Sequence, residues 1–110
     1  MTARDTVDKF AALAHEHRLA IYRLLVQAGP EGKAAGEIAD ALKMPASSLS
    51  FHLAHLHRAE LITQRRESRS LIYAADFDEM NALVGFLTEN CCGGRSCAPS
   101  AKATPKRKRA

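Results

Sequence analysis

The sequence predicts a mainly α-helical fold that carries one small β-hairpin. Its 110 residues suffice for one small domain, and 46% of them are hydrophobic, which is enough for one modest core. Apolar residues recur at spacings of three and four along most of the chain, as in amphipathic helices. Between residues 61 and 74 the spacing changes to two, which is typical of strands. These observations predict a run of helices interrupted by a hairpin before the last one.

Two helices are predicted ahead of the first break in the chain. Residues 6–14 place Phe10 and Leu13 along one side of a short helix. Residues 17–28 form a second amphipathic helix. Gly29-Pro30 ends it, because glycine suits the helix cap and proline cannot continue a helix.

A second pair of helices follows, and a tight turn separates its members. Residues 35–43 and residues 45–58 each have helical spacing, and Pro45 lies at the break between them. The residue before a proline avoids the helical region, whereas proline itself suits the first turn of a new helix. Two short helices joined in this way are the helix-turn-helix pattern.

The second helix of this pair has one apolar side and several polar side chains elsewhere. Leu49, Leu53 and Leu56 are four and three residues apart and form the apolar stripe. We expect its short hydroxyls and imidazoles to contact phosphates and base edges in the major groove of double-stranded DNA. The expected DNA-contacting residues are Ser47, Ser48, Ser50, His52 and His55. The alternative is an ordinary amphipathic helix whose serines cap its first turn.

A hairpin follows the proposed DNA-contacting helix directly. Residues 61–66 and 69–74 have the alternating pattern of two strands. A hairpin in this position is a wing, so the predicted fold class is a winged helix-turn-helix. Arg65, Arg66 and Arg69 lie near its tip, where we expect them to contact the phosphate backbone or the minor groove. The alternative is a charged hairpin tip that faces only water.

The positive charge of the chain is unevenly distributed. Five cations follow Cys97, and removing them from the formal net charge of +4 leaves residues 1–97 with about −1. Within that body, residues 43–70 carry a local charge of about +3. One basic face on a slightly acidic domain suits a protein that binds a DNA duplex. Residues 98–110 lack an apolar period and are predicted to be a basic disordered tail; a nonspecific DNA-coating protein is the alternative that this tail suggests.

The last predicted helix, residues 76–89, carries more apolar surface than one small core requires. We expect it to pair with a second copy across a two-fold axis, with help from the first helix. The predicted homodimer interface comprises Phe10, Leu13, Phe77, Met80, Val84 and Leu87. The alternative is that this helix packs only on its own core.

Three cysteines lie within seven residues, at Cys91, Cys92 and Cys97. An odd number so closely clustered argues against a disulfide framework and favours metal, metalloid or redox chemistry. The sequence lacks a Cys-x-x-Cys pair and a phosphate-binding loop, so we do not expect a thiol enzyme with Cys91 as its nucleophile. It also lacks a signal peptide and a membrane-length apolar run, which predicts a soluble, cytoplasmic protein.

The order of elements and several motifs resemble the ArsR/SmtB family of metal-sensing repressors over roughly residues 5–90. The resemblance implies a homodimer that blocks transcription when metal-free and leaves its operator when metal binds. We therefore expect residues 1–90 to be the DNA-binding and dimerisation domain. The matching stretches are Leu13-Ala14 to Leu19 with Ile21 and Leu24-Leu25, Glu37-Ile38-Ala39 with Leu42, Ser47 to Leu53 with Leu56, Leu61-Ile62, and Arg69 to Tyr73.

Sensing sites differ among members of this family. A Cys-x-Cys pair at the start of the DNA-contacting helix is absent here, and residues 76–89 contain no histidine for a zinc site of the kind found on the last helix. The chain is instead similar to arsenical repressors whose site lies at the end of the last helix. This resemblance implies that residues 91–97 are the sensing segment, with Cys91, Cys92 and Cys97 as ligands and As(III) as the inducer.

The chemistry of the cysteine segment agrees with that implication. Soft thiolates select thiophilic ions such as As(III), which takes three sulfurs in a pyramid. Gly93-Gly94 lets the backbone turn sharply so that Cys97 can approach the other two thiols, and Arg95 favours the thiolate form. His52, His55 and His57 are far from these thiols in sequence and are not expected to be ligands. Oxidants or another soft metal, acting through the same cysteines, are the alternative signals.

Overall fold

The computed structural model describes residues 1–94, and these residues form the predicted winged helix-turn-helix. Its helices are close to their predicted positions, and a short 3-10 turn ends the described part of the chain. A two-residue strand between the second and third helices was not predicted. The elements in chain order are α1 (Ala3–Leu13), α2 (Glu16–Ala28), β1 (Lys33–Ala34), α3 (Ala35–Leu42), α4 (Ala46–Arg58), β2 (Ile62–Glu67), β3 (Ser70–Ala75), α5 (Phe77–Leu87) and the 3-10 turn Cys91–Gly94.

Side chains at the helix ends explain most of the boundaries. The Thr2 hydroxyl accepts a hydrogen bond from the Asp5 backbone N–H, and the Asp5 carboxylate accepts one from the Thr2 N–H. This reciprocal cap starts α1 three residues before the predicted position. Gly29, with a φ of 82°, ends α2 as predicted, and Asp76 caps α5 by accepting from the Glu79 N–H.

The helix-turn-helix packs on one apolar core. The leucine stripe of α4 points into it, as predicted, with Leu49 and Leu53 each 2% exposed and Leu56 completely buried. Ile21 and Leu25 of α2 meet this stripe from the first half of the chain. Burial of these side chains therefore fixes which side of α4 is left for other contacts.

The three strands form an antiparallel sheet in the order β1-β3-β2. Both long strands lie one residue later than predicted, because the hairpin turns at Ser68, whose φ is 56°. In this register Arg65 lies opposite Ile72 and Arg66 opposite Leu71. The two-residue strand β1 forms by pairing with β3 and has no periodic pattern of its own.

The last helix is tied to the wing and to the first helix. Strand β3 passes into α5 through Asp76 alone, and the Asp76 N–H donates to the Leu61 carbonyl at 2.9 Å. The buried ammonium of Lys9 lies 3.2 Å from the Glu79 carboxylate, which links α1 to the first turn of α5. A displacement of α5 would therefore move both the wing and α1. Within residues 1–94, every helix is too short or too polar to cross a lipid bilayer.

Candidate nucleic-acid interface and cysteine turn

The solvent-facing side of α4 carries only part of the predicted DNA-contacting set. Ser47 and Ser50 are exposed, whereas Ser48 and His55 are half-buried. His52 is 7% exposed, so the expectation that its side chain lies on the outer side of α4 is wrong. The physical reason is its spacing from Leu49, since a residue three positions further along a helix lies on the same side.

An exposed aromatic side chain on α4 was missed by the sequence prediction. Phe51 is 64% exposed and follows Ser47 by four residues, so it lies on the outer side with Ser47 and Ser50. The signal was present in the sequence, because residue 51 is out of phase with the leucine stripe. An apolar side chain here suits contact with a thymine methyl group in the major groove.

The wing arginines differ in their surroundings. The Arg65 guanidinium is held by the Glu67 carboxylate at 2.8 Å and by the Glu31 carbonyl at 2.8 Å, and its side chain is 44% exposed. Arg66 and Arg69 are exposed. Arg65 therefore braces the hairpin against the loop before β1, while Arg66 and Arg69 extend towards solvent near the tip.

A buried guanidinium holds α4 in place. Arg18 of α2 is 8% exposed; its Nε donates to the Ala12 carbonyl at 2.6 Å, and its Nη1 lies 3.3 Å from His52 Nδ1. Because arginine can only donate, the His52 Nδ1 is the acceptor in this contact. Burial, the nearby His15 ring and the Arg18 charge lower the pKa of His52. His52 is therefore held as a neutral imidazole that links α4 to α2.

The predicted dimer residues fall into two groups. Phe10, Val84 and Leu87 are 42%, 53% and 57% exposed, and they leave apolar surface on α1 and α5. The other three pack partly against the core of their own chain; these are Leu13, Phe77 and Met80. The exposed group suits an interface, whereas the partly buried group supports the helices that carry it.

The cysteine segment begins as a tightly curled turn at the end of α5. The sulfurs of Cys91 and Cys92 lie 3.7 Å apart, and both residues are exposed. Cys92, Gly93 and Gly94 all have positive φ, at 57°, 67° and 90°, so the sharp turn predicted for the glycine pair is present. Cys97, Arg95 and residues 98–110 lie outside the described residues.

The spacing of the two sulfurs fits a thiophilic ligand. Two thiolates bound about 2.3 Å from one central atom lie about 3.3 Å apart at a right angle, which a pyramidal site approaches, and about 3.8 Å apart at the tetrahedral angle. The observed 3.7 Å lies within that range. In the fully reduced protein, this spacing would let the two sulfurs bind one atom.

Comparison with known proteins agrees with the DNA-binding class defined by the fold. A family model described as a helix-turn-helix domain matches residues 13–65, which run from the end of α1 into the wing. The HTH-type transcriptional regulator YgaV of Escherichia coli K12 is 31% identical over 91 residues, which cover 83% of this chain and 90% of YgaV.

Solved structures of relatives extend the match to the whole described fold. The structure of HlyU from Vibrio cholerae shares 30% identity with a TM-score of 0.66, covering 82% of this chain and 95% of that one. A homodimeric winged helix-turn-helix domain from Mycobacterium bovis, described as a possible ArsR-family regulator, shares 27% identity with a TM-score of 0.62 and covers 84% and 85% of the two chains. The molecule is a DNA-binding regulator rather than an enzyme. The chain belongs to the ArsR-type winged helix-turn-helix transcriptional regulators.

The lowered pKa of His52 predicts that stability falls in mild acid. The unfolded chain binds a proton near pH 6.5 and the folded chain only at lower pH, so stability is lost as pH falls below about 6.5 and levels off below the folded pKa. Each unit of difference between the two pKa values is worth about 1.4 kcal/mol. Urea unfolding at about pH 7.5 and 5.5 should show a smaller loss for His52→Gln, which keeps an acceptor for Arg18. His57→Gln, on the exposed side of α4, should lose as much stability as wild type; an unchanged loss in His52→Gln would contradict the prediction.

Proposed function

We propose that this protein is an arsenite-responsive transcriptional repressor that binds operator DNA as a homodimer and is released when As(III) or Sb(III) binds its cysteine thiolates. The observation that carries the proposal is the pair of sulfurs 3.7 Å apart at the end of α5, the helix that continues from the wing. A thiophilic ligand held there would act on the element that joins the dimer surface to the DNA-binding hairpin.

DNA binding is assigned to α4 and the wing. Ser47, Ser50 and Phe51 form the outer side of α4 and would contact bases and phosphates in the major groove. Ser48 and His55 are half-buried at the edge of that side and would contact the backbone. Arg66 and Arg69 would contact phosphates beside the groove, and Arg65 would position the hairpin that carries them. Buried His52 would act through the position of α4 rather than by direct contact.

The homodimer is assigned to α1 and α5. Phe10, Val84 and Leu87 leave apolar side chains in water, and burying each against a second copy would be favourable. The relative from Mycobacterium bovis is described as homodimeric. A two-fold dimer would present two copies of α4 to successive major grooves of an inverted repeat.

Coupling between ligand and DNA would run through α5. As(III) bound by Cys91, Cys92 and Cys97 in the reduced protein would fix the chain after α5. The first turn of α5 is bound to Leu61 and Lys9, so its displacement would shift the wing and α1 together. A coupling of about 1–3 kcal/mol is enough for release, and operator DNA must weaken arsenite binding by the same factor.

A second candidate keeps DNA binding and replaces arsenite with an oxidant. Two adjacent cysteines with exposed side chains are suited to reversible oxidation. One solved relative is described as reduced HlyU from Vibrio cholerae, and that description names the redox state of the relative. Release by peroxide, reversed by a thiol reductant and unaffected by arsenite, would support this candidate over the first.

Removing wing charges should weaken binding to all duplexes and reduce its salt dependence. We expect Arg66→Gln and Arg69→Gln each to lower the slope of log affinity against log salt by about one, because one phosphate contact is lost. Phe51→Ala should instead reduce the preference for operator over scrambled DNA by about ten-fold while leaving the slope unchanged. Fluorescence anisotropy across a salt series measures both quantities. Arg4→Gln, on exposed α1, is the control, and an unaltered slope in both wing variants would rule out their phosphate contacts.

A charge on the outer side of α5 should dissociate the dimer without unfolding the chain. Val84→Asp and Leu87→Asp place a carboxylate where the single chain is already exposed, so we expect the fold to remain and the dimer to weaken at least ten-fold, or about 1.4 kcal/mol. Sedimentation equilibrium measures the dissociation constant. Leu19→Asp makes the same change on α2, where the side chain is 45% exposed. Equal dimer stability in the α5 variants and this control would contradict the assigned interface.

Arsenite should release the reduced protein from a labelled duplex taken from upstream of its own gene. We expect release at micromolar arsenite, and at least a five-fold weaker response in Cys91→Ser and Cys92→Ser, because each variant loses one of the two adjacent thiols and leaves only two of the three proposed sulfur ligands. Cys97→Ser measures whether a third sulfur is needed. Mg²⁺, a hard cation that prefers oxygen ligands, is the control and should leave the complex intact.

Transcription in vitro tests the direction of regulation. Transcript from the same promoter should rise when arsenite is added to the wild-type protein and stay low with Cys91→Ser. DNA binding that arsenite leaves unchanged would refute the arsenite response and retain the DNA-binding assignment. Release accompanied by less transcript would refute repression.

A further inference from the structure

We infer that His15, His17 and His52 form a second metal site, one that takes a divalent transition metal such as Zn²⁺ or Co²⁺ through imidazole nitrogens. One candidate ligand nitrogen from each ring lies within 4.8 Å of the other two. The ring centroids are 4.6 Å apart for His15 and His52, 5.5 Å for His17 and His52, and 5.4 Å for His15 and His17. The three rings therefore meet where the start of α2 lies beside the middle of α4.

The cluster must contract to bind an ion, because its candidate nitrogens are separated by up to 4.8 Å. Three nitrogens bound to one zinc ion at about 2.0–2.1 Å lie about 3.3 Å apart, with water as the fourth ligand. His15 and His17 are exposed, so their rings have room to rotate towards His52, and rotation of the His15 ring breaks its hydrogen bond with the His17 N–H. His52 is buried in the middle of α4, so the two exposed rings would move towards it.

The imidazole ligand set does not suit As(III), the ion proposed for the cysteine turn. Neutral imidazole suits Zn²⁺, Co²⁺, Ni²⁺ and Cu²⁺, whereas thiolates favour softer ions. Metal binding needs unprotonated rings, so the affinity for any of these ions should fall in acid. As(III) would therefore be specific to the cysteine turn, whereas Zn²⁺ can bind imidazoles and thiolates alike.

Metal binding is incompatible with two hydrogen bonds in the present arrangement. His15 Nδ1 accepts from the His17 backbone N–H at 3.1 Å, and His52 Nδ1 accepts from Arg18 Nη1 at 3.3 Å. A neutral ring that accepts at Nδ1 carries its proton on Nε2. Coordination through Nε2 requires that proton to move, by exchange with water, to Nδ1, which then can no longer accept. The bound ion would thus remove the His15 cap of α2 and the Arg18 contact to α4.

This exchange of contacts gives the site an effect on the DNA-contacting helix. Arg18 of α2 contacts His52 of α4 through its guanidinium. When this contact breaks, the guanidinium can move away from the incoming cation. The ion would replace it by joining the start of α2 to His52 directly. Metal binding itself is independent of the proposed function, whereas any effect on DNA affinity rests on it.

The test uses the full chain with Cys91, Cys92 and Cys97 replaced by serine, so that no thiol competes. Titration with Zn²⁺ against a chromophoric chelator should reveal one ion per chain, and Co²⁺ should give the intense visible bands of a tetrahedral site. In this background His17→Gln should weaken Zn²⁺ binding at least ten-fold. His15→Asn should do the same while keeping a side-chain acceptor to cap α2. His57→Gln, on the outer side of α4, should bind Zn²⁺ as the parent does.

Nitrogen NMR of the imidazole rings tests the proton shift directly. Without metal, His15 and His52 should carry their protons on Nε2, and Zn²⁺ should move both protons to Nδ1. The proposal is overturned if the cysteine-free protein fails to bind Zn²⁺ and Co²⁺, or if binding is equal in His17→Gln, His15→Asn and the parent. DNA affinity measured with and without Zn²⁺ on the same protein forms a separate arm. Zn²⁺ binding without any change in DNA affinity would support the site and overturn its effect on α4.

Discussion

The buried guanidinium of Arg18 is the interaction on which the position of the DNA-contacting helix depends. A charge in an apolar core is costly unless its donors are satisfied, and here the Ala12 carbonyl and His52 Nδ1 satisfy them. Apolar contacts of the leucine stripe bury one side of α4, but such contacts are not directional. The hydrogen bond to His52 is directional, so it fixes the orientation of α4 relative to α1 and α2.

Helical and strand periodicity was sufficient to predict the winged helix-turn-helix, because each long element buries one side of itself. The sequence prediction was wrong where a contact between residues distant in sequence determines whether a side chain is buried or a segment forms a strand. His52 was expected outside because imidazole is polar, yet its spacing from Leu49 put it inside, where Arg18 compensates its burial. Strand β1 has no pattern to detect, since its two residues become a strand only by pairing with β3. Phe51 was overlooked although its phase on the helix placed it outside.

For the cysteine turn, the ligand chemistry could be predicted from the sequence, whereas the positions of the sulfurs could not. Residue type alone predicted a preference for thiophilic ligands, and the glycine pair predicted a sharp turn. The 3.7 Å separation of the sulfurs depends on Asn90 and Cys92 taking the left-handed conformation, which non-glycine residues rarely adopt. Periodicity contains no information about such residues, so the sulfur geometry could not be predicted. A left-handed cysteine is instead the kind of local strain that clusters at functional positions.

Two routes to the DNA-contacting surface follow from these connections. The route from the cysteine turn passes through α5 to β3 and the wing, and it would change the spacing of the two halves of a dimer. The route from the histidine cluster passes through Arg18 to α4, and it would change helix orientation within one chain. Effects at distant sites that share no contacts add as free energies. If both operate, a thiophilic ion and a borderline metal would each change DNA affinity by its own factor, and the two factors would multiply.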